Sequence, residues 1–238
     1  GIVTVTGGDE HGKQAYETFK SEGVDTRYVL YEKDTPTNVS TVINYLGERT
    51  ILVYHHPRKY SLPKLASAKM VYVTSMAAGS ERLYPDIIHF IKQNSAILVF
   101  NPGTFQLRAG PSQSKNILRK TTVLILSLDE ASLWAGIEKT VAPDRIAKAL
   151  ISFGPKIVVI TDGVNGSYAY SAKRLWKLGI YKVSRREATG AGDSFATGFA
   201  AALLLGHPIP EALRWGAVNA ASVVQYIGYA IVIRYFYK

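Results

Sequence analysis

Short β-branched runs alternate with longer amphipathic stretches along most of this chain, and that alternation is the tightest constraint on its fold. Residues 2–6 read as a strand, and 10–22 as a helix that Gly23 stops. The run MVYVT (70–74) precedes a helix near 81–93, and AILVF (96–100) ends in Asn101-Pro102-Gly103. TVLIL (122–126) precedes a helix from about Asp129. A further helix spans 143–153, with Pro143 suited to its first turn. KIVVIT (156–161) ends in the glycine-bearing turn Asp162-Gly163-Val164-Asn165-Gly166, and SYAYS and RLWKLGI read as strands. Two helices, at 192–205 and 210–226, close the pattern.

Short apolar strands between helices imply an α/β fold, a mostly parallel sheet with helices on both faces. Residues 28–54 do not fit that layer. VSTVINY and RTILVYH alternate in the manner of half-exposed strands, joined at Leu46-Gly47-Glu48. They are expected to form a small β-sheet lid, inserted at about 28–54 into a single α/β domain covering 1–238. Ligands in open α/β sheets bind beyond the carboxyl ends of the strands, so the chemistry is expected in strand-to-helix turns.

Composition removes several classes. With 47% hydrophobic and 19% charged residues the chain is not disordered. It has no Cys, which excludes disulfide scaffolds, thiolate zinc sites and cysteine nucleophiles, and fits a cytoplasmic setting. The opening GIVTVTGGDE has no basic n-region and no initiator Met, so a fragment or processed product is expected rather than a secreted precursor. Lys and Arg number 28 against 18 Asp and Glu, a net charge of +10. Lys156, Lys173, Arg174, Lys177, Lys182, Arg185 and Arg186 fall within one stretch. Such a surface is either a solvated face or a match for a phosphate-rich ligand. Nucleic acid is not expected, because no aromatic-interleaved motif, zinc finger or long basic helix accompanies the charge. Residues 217–237 are apolar over about the length of a membrane span. Asn219, Ser222 and Gln225 interrupt them at helical spacing and Gly228 breaks the middle, so no membrane span is expected. Residues 229–238 read as an atypical, strand-like C-terminal tail.

The densest chemistry lies in Glu187-Ala188-Thr189-Gly190-Ala191-Gly192-Asp193-Ser194-Phe195. Its small residues let backbone amides crowd around an anion. The helix that follows turns its unpaired N–H groups and positive dipole end to the same spot. An Asp at that mouth is placed to take a proton from an attacking hydroxyl, or simply to cap the helix.

The run resembles the D-x-T-G-A-G-D-x-F signature of the PfkB family of carbohydrate kinases, with Glu187 in the first position. Further resemblances follow in order. Thr6-Gly7-Gly8-Asp9 with Gly12 is similar to the family's V-G-x-D-x-x-G turn, and Gly23-Val24-Asp25 to its G-V-D segment. Thr35-Pro36-Thr37 precedes the lid strands. Thr161-Asp162-Gly163-Val164-Asn165-Gly166 is similar to the T-x-G-x-x-G nucleotide turn, and Asn219-Ala220-Ala221 to the N-A-A helix beside adenine. The resemblance spans roughly 1–228 and implies a ribokinase-like fold. It also implies transfer of the ATP γ-phosphate to a sugar-type alcohol, with Mg²⁺. Asp193 would be the base, and the amides of Gly190, Ala191 and Gly192 the anion hole. Thr161, Gly163 and Gly166 would hold the nucleotide, with Asn219 near adenine. Glu130 would organise Mg²⁺ through water, although Ser127 stands where relatives carry the Asn of N-x-x-E. The alternative for Asp129 and Glu130 is a favourable helix start. Glu187 and Thr189 would fall at a monovalent cation site, K⁺ being the usual ion.

The family's first strand and its G-G-x-x-x-N segment have no counterpart here. A non-catalytic nucleotide-binding remnant of the family is therefore the alternative to a working kinase. The acceptor is open among ribose, fructose-type sugars, a nucleoside or a sugar phosphate. The lack of an Arg soon after Phe100 argues against 2-keto-3-deoxygluconate. Lid strands of relatives often pair across a homodimer. No GxxxxGK[ST], GxGxxG or GxSxG run is present, and the adjacent His55-His56 would face opposite sides of a strand.

Overall fold

The computed structural model describes residues 1–45 and 48–226, which fall into two compact units divided between Ala66 and Ser67. The turn at Leu46-Gly47 and the tail at 229–238 lie outside the described residues.

The first unit opens with β1 (Val3–Gly7), α1 (Glu10–Ser21) and β2 (Tyr28–Glu32), a β-α-β unit. Asp9 caps α1, its Oδ1 accepting from the Gly12 amide at 2.9 Å. The crossover returns the chain parallel to β1, in register from Val3↔Tyr28 to Gly7↔Glu32. Residues 28–32 therefore pair with β1 rather than with the lid strands. Their alternation alone could not reveal this, because β-branched patterning marks a strand without naming its partner. β3 (Val39–Tyr45) and β4 (Glu48–Tyr54) form a separate antiparallel pair, matched from Val39↔Tyr54 to Tyr45↔Glu48. Ile43, Leu52 and Tyr54 on this pair are exposed.

The second unit is built on six strands: β5 (Met70–Val73), β6 (Ile97–Phe100), β7 (Val123–Ser127), β8 (Ile157–Thr161), β9 (Ser167–Ser171) and β10 (Arg174–Leu178). Their spatial order is β10-β9-β8-β7-β6-β5. β5 to β8 run parallel, and β9 and β10 close one edge as an antiparallel meander. The helices are α2 (Tyr84–Asn94), α3 (Thr104–Ala109), α4 (Lys115–Leu118), α5 (Leu128–Ala135), α6 (Pro143–Ile151), α7 (Ala191–Leu204) and α8 (Ile209–Val223).

Both faces of the parallel strands are covered, as near-continuous apolar runs require. On one face Val99, Val123, Ile125, Val159 and Ala169 pack against Phe195 and Phe199 of α7 and Leu213 of α8. On the other, the Phe100 ring meets Tyr84 of α2 and Trp134 of α5, each with ring centroids 6.2 Å apart. Burying a side chain such as Phe199 or Leu213 completely contributes about 1.5–3 kcal/mol. α7 and α8 approach closely because each offers a glycine to the other. A Cβ on Gly198 would come within 2.8 Å of the Trp215 carbonyl, and one on Gly216 within 2.9 Å of the Phe195 carbonyl. Asn219 fastens the pair by donating from Nδ2 to the Ser194 carbonyl at 2.7 Å. Among the described residues, no helix is long and apolar enough to cross a membrane.

Candidate active site

Three neighbouring features meet at the carboxyl ends of β7 and β8. The first is the turn after β8. Thr161 ends that strand, and the turn closes through Asp162 N–H to the Gly166 carbonyl at 2.8 Å and Asn165 N–H to the Asp162 carbonyl at 2.9 Å. Gly166 has φ 99°, and a side chain there would collide with the Leu178 carbonyl, so only glycine suits the return into β9.

The second is the start of α7. Gly190, at φ 79°, is the N-cap, and the first intrahelical bond runs from Ser194 N–H to the Gly190 carbonyl at 2.9 Å. The Ala191 amide turns back to the Ala188 carbonyl at 3.2 Å, whereas no described backbone carbonyl accepts from Gly192. Gly192 has open space around it. Asp193 is exposed in the first turn, so its carboxylate is not sunk in the core. Its charge reaches Tyr72 on β5. Burial, and secondarily that negative charge, push the Tyr72 phenol far above its ordinary value. Tyr72 therefore stays a neutral donor. Its hydroxyl donates a hydrogen bond to Asn101 Oδ1 at 3.1 Å, and Asn101 Nδ2 in turn donates to the Ile125 carbonyl at 2.9 Å. This chain ties the ends of β5, β6 and β7 together.

The third is a cavity of about 360 Å³. Thr161, Gly163, Gly166 and Ser167 line one wall, and Ala191, Gly192 and Phe195 a second. Ala217, Ala220, Ala221 and Val224 of α8 and its C-terminal end form a third. The segment 179–185 closes it with Tyr181, Val183 and the cations Lys182 and Arg185. The loop before α7 is held to the end of α8, because the Arg186 and Glu187 amides both donate to the Val224 carbonyl, at 2.8 and 3.2 Å.

The structure thus brings Thr161, Gly163, Gly166, Ala191 and Gly192 to one cavity. Gly190, Asp193 and Asn219 are not among its lining residues; the Asn219 amide serves the α7–α8 contact, and its neighbours Ala220 and Ala221 face the cavity instead. Glu187 and Thr189 are half-buried on the loop before α7. Among the described residues, no group of three or more His, Asp or Glu is positioned to hold a metal ion. Glu130 completes a reciprocal cap on α5: Ser127 N–H donates to Oε2 at 2.8 Å, and Glu130 N–H to Ser127 Oγ at 3.3 Å. Ser127 is in register with Thr161, so the cap holds this carboxylate at the end of β7, on the strand next to the one that enters the glycine turn. A single carboxylate at such an edge suits Mg²⁺, which keeps most of its waters. Sequence reasoning missed Tyr72, Ser167 and the segment 179–185. Only the basic stretch hinted at the last, through Lys182 and Arg185.

A four-stranded parallel run, a meander at its edge and a glycine turn feeding a helix beside a cavity define a ribokinase-like α/β protein. The pfkB family carbohydrate kinase model matches residues 1–233. The chain belongs to that family of sugar-phosphorylating enzymes. It is 27% identical over 243 residues to the 5-dehydro-2-deoxygluconokinase of Shouchella clausii, covering 94% of this chain and 74% of that protein. Among solved structures it is similar to the Arabidopsis thaliana ribokinase complexed with ribose and ATP, with a TM-score of 0.81 at 22% identity. That match covers 96% of this chain and 76% of the other. A ribokinase II from E. coli in complex with ATP and Mg²⁺ matches with a TM-score of 0.77 at 21% identity, covering 95% of this chain and 77% of that one.

Proposed function

We propose that this protein transfers the γ-phosphoryl group of ATP to a hydroxyl of a sugar acceptor, with Asp193 as the general base. The observation that carries this reading is that one cavity is lined both by the turn after β8 and by Ala191 and Gly192 at the amino end of α7, with the exposed Asp193 the next residue along. The nucleotide lies in the cavity along Thr161, Gly163 and Gly166. The acceptor oxygen attacks the γ-phosphorus, its proton passes to Asp193, and the bond to the bridging β–γ oxygen breaks to release ADP. The amides at Gly190, Ala191 and Gly192 hold the charge on the migrating group, aided by the α7 dipole. One such preorganised donor lowers the barrier by about 3–4 kcal/mol. Glu130 would hold Mg²⁺ through its waters, and the ion would neutralise phosphate charge. Glu187 and Thr189 would flank K⁺ on the loop that positions the anion hole. Asn219 acts on the adenine end indirectly, by setting the α7–α8 spacing.

5-Dehydro-2-deoxygluconate is the first acceptor to try, because the Shouchella clausii relative is named for it. Ribose and nucleosides follow. The exposed apolar β3–β4 pair would be covered by the same pair of a second copy, giving a homodimer. An ATP-dependent reaction of this kind belongs in the cytoplasm, where ATP is held.

The test is an ADP-release assay over sugar acids, pentoses, hexoses and nucleosides with Mg-ATP, followed by Asp193→Asn on the best acceptor. Turnover lost with Mg-ATP affinity kept supports the reading. Mg-ATP binding with no turnover on any acceptor would instead establish the non-catalytic remnant.

A further inference from the structure

We propose that the Ser167 hydroxyl is a recognition group for the nucleoside half of the nucleotide, a role that rests on the nucleotide reading of the cavity above. Ser167 is 2% exposed and lines that cavity, and its Oγ has no hydrogen-bond partner among the described residues. Strand geometry fixes the face of the sheet on which the side chain lies. Ala169 and Val159 oppose each other across β9 and β8, and both pack on the α7–α8 side of the sheet. Side chains alternate along a strand, so Ser167, two residues before Ala169, and Thr161, two residues after Val159, which oppose each other, face that same side. There the core ends and the cavity begins, between β9 and Phe195.

A buried hydroxyl left unpaired is costly, so native proteins pair nearly all of them. The cavity's own chemistry selects the part of the ligand that pairs this one. Phosphate oxygens are drawn to backbone amides at the start of α7 and to the cations Lys182 and Arg185. The remaining walls are Val164, Ile180, Phe195, Ala217 and Ala220, an apolar slot suited to a flat base and its sugar. Ser167 is the fully buried hydroxyl among those walls. It can donate to, or accept from, a ribose hydroxyl or a ring nitrogen.

The decisive pair of variants is Ser167→Thr and Ser167→Val. They have the same shape and differ only in the hydroxyl, so steric effects cancel. Binding of Mg-ADP to the full chain is read by calorimetry, and inhibition by tripolyphosphate is read alongside. The Val variant is expected to bind Mg-ADP about 3- to 10-fold more weakly than the Thr variant, the span one neutral hydrogen bond supplies. Tripolyphosphate inhibition should be equal for both. Ser167→Ala should leave the melting temperature of the ligand-free protein unchanged or slightly raised, since the hydroxyl it removes has no protein partner; a structural role would lower it. Equal Mg-ADP affinities for Thr and Val, or an equal loss for tripolyphosphate, overturn the assignment while leaving the nucleotide reading intact. A wild-type chain that binds no Mg-ADP overturns both.

Discussion

Two glycine-rich turns in this chain deliver an Asp to the start of a helix, and they use it in opposite ways. At the first, Gly7-Gly8-Asp9 leads into α1. Asp9 Oδ1 accepts from Gly12 N–H and from the Thr37 hydroxyl, at 2.9 and 2.5 Å, and Oδ2 accepts from Thr37 N–H at 2.8 Å. The Gly7 amide donates to the same Thr37 hydroxyl at 3.0 Å. A Cβ on Gly7 would collide with backbone at 35–37. Arg58, with its side chain 1% exposed, braces that segment through Glu32, Thr35 and the Pro36 carbonyl. At the second turn, Gly190-Ala191-Gly192-Asp193 leads into α7 with open space at Gly192 and an exposed Asp. The lesson is that a glycine–Asp turn is a lock when its glycines are crowded by their own chain. When that space is left empty, as at Gly192, the turn stays open to solvent, as the proposed function requires.

The largest effect expected from that contrast is on turnover. Asp193→Asn should lower kcat by about 10²- to 10⁴-fold, the range a positioned general base supplies, with Mg-ATP affinity within a few-fold of wild type. A kcat within threefold of wild type would put Asp193 back among ordinary first-turn acids. Glycine variants test the same contrast through stability. Gly7→Ala forces a methyl into fixed backbone and should destabilise by about 1–3 kcal/mol or more, read by urea unfolding. Gly192→Ala meets nothing within contact distance and should shift stability by under about 0.5 kcal/mol. Under the proposed anion-hole role of the Gly192 amide, kcat should nevertheless fall at least tenfold. Matching stability losses for the two variants would erase the distinction drawn between the turns.

The layered fold was legible in the sequence because its cause is local. Runs such as IVVI (157–160) and VLIL (123–126) are apolar throughout, the pattern of a strand buried on both faces. β5 to β9 fall within a residue or two of where the pattern puts them. The mouth of α7 was legible for the same reason, since glycines next to a strong helix former leave few alternatives. What escaped depends on contacts distant in sequence. α3 is six residues long, and its start is held by Gln106. That buried side chain accepts from the Gly103 and Met76 amides and donates to the Thr74 carbonyl. The basic stretch divides in a way no composition reveals. Lys182 and Arg185 line the cavity, whereas Arg174 and Lys177 lie over the rings of Trp176 and Tyr168, with centroid distances of 5.1 and 5.5 Å. Ser167 reads as one more polar strand residue until the register with Thr161 is known. Asn219 sits beside the cavity-lining alanines in sequence, yet its amide is committed to a helix–helix contact.

The smallest expected effect concerns the lock itself and depends on pH. The Thr37 hydroxyl and amide, with the Gly12 amide, hold the Asp9 carboxyl down to about 2, against about 3.9 for an unfolded Asp. A depressed folded-state value means the unfolded chain takes up the proton first. The contribution of Asp9 to stability is therefore complete above pH 4 and fades as pH falls toward 2. Asp9→Asn keeps the size but presents an NH₂ group toward donors on Thr37 and Gly12. It should melt below wild type at pH 6, and the gap between the two proteins should narrow steadily from pH 4 downward. Salt separates this effect from an ordinary surface charge. Asp25 is likewise held down to about 2, chiefly by its hydrogen bonds to the exposed Arg27, and that ion pair is open to screening. Asp9 is held by neutral donors, so the gap between wild type and Asp9→Asn at pH 6 should persist in 1 M salt. A gap that collapses with added salt, or stays constant from pH 6 to pH 2, would mean that the turn is not closed by these three hydrogen bonds.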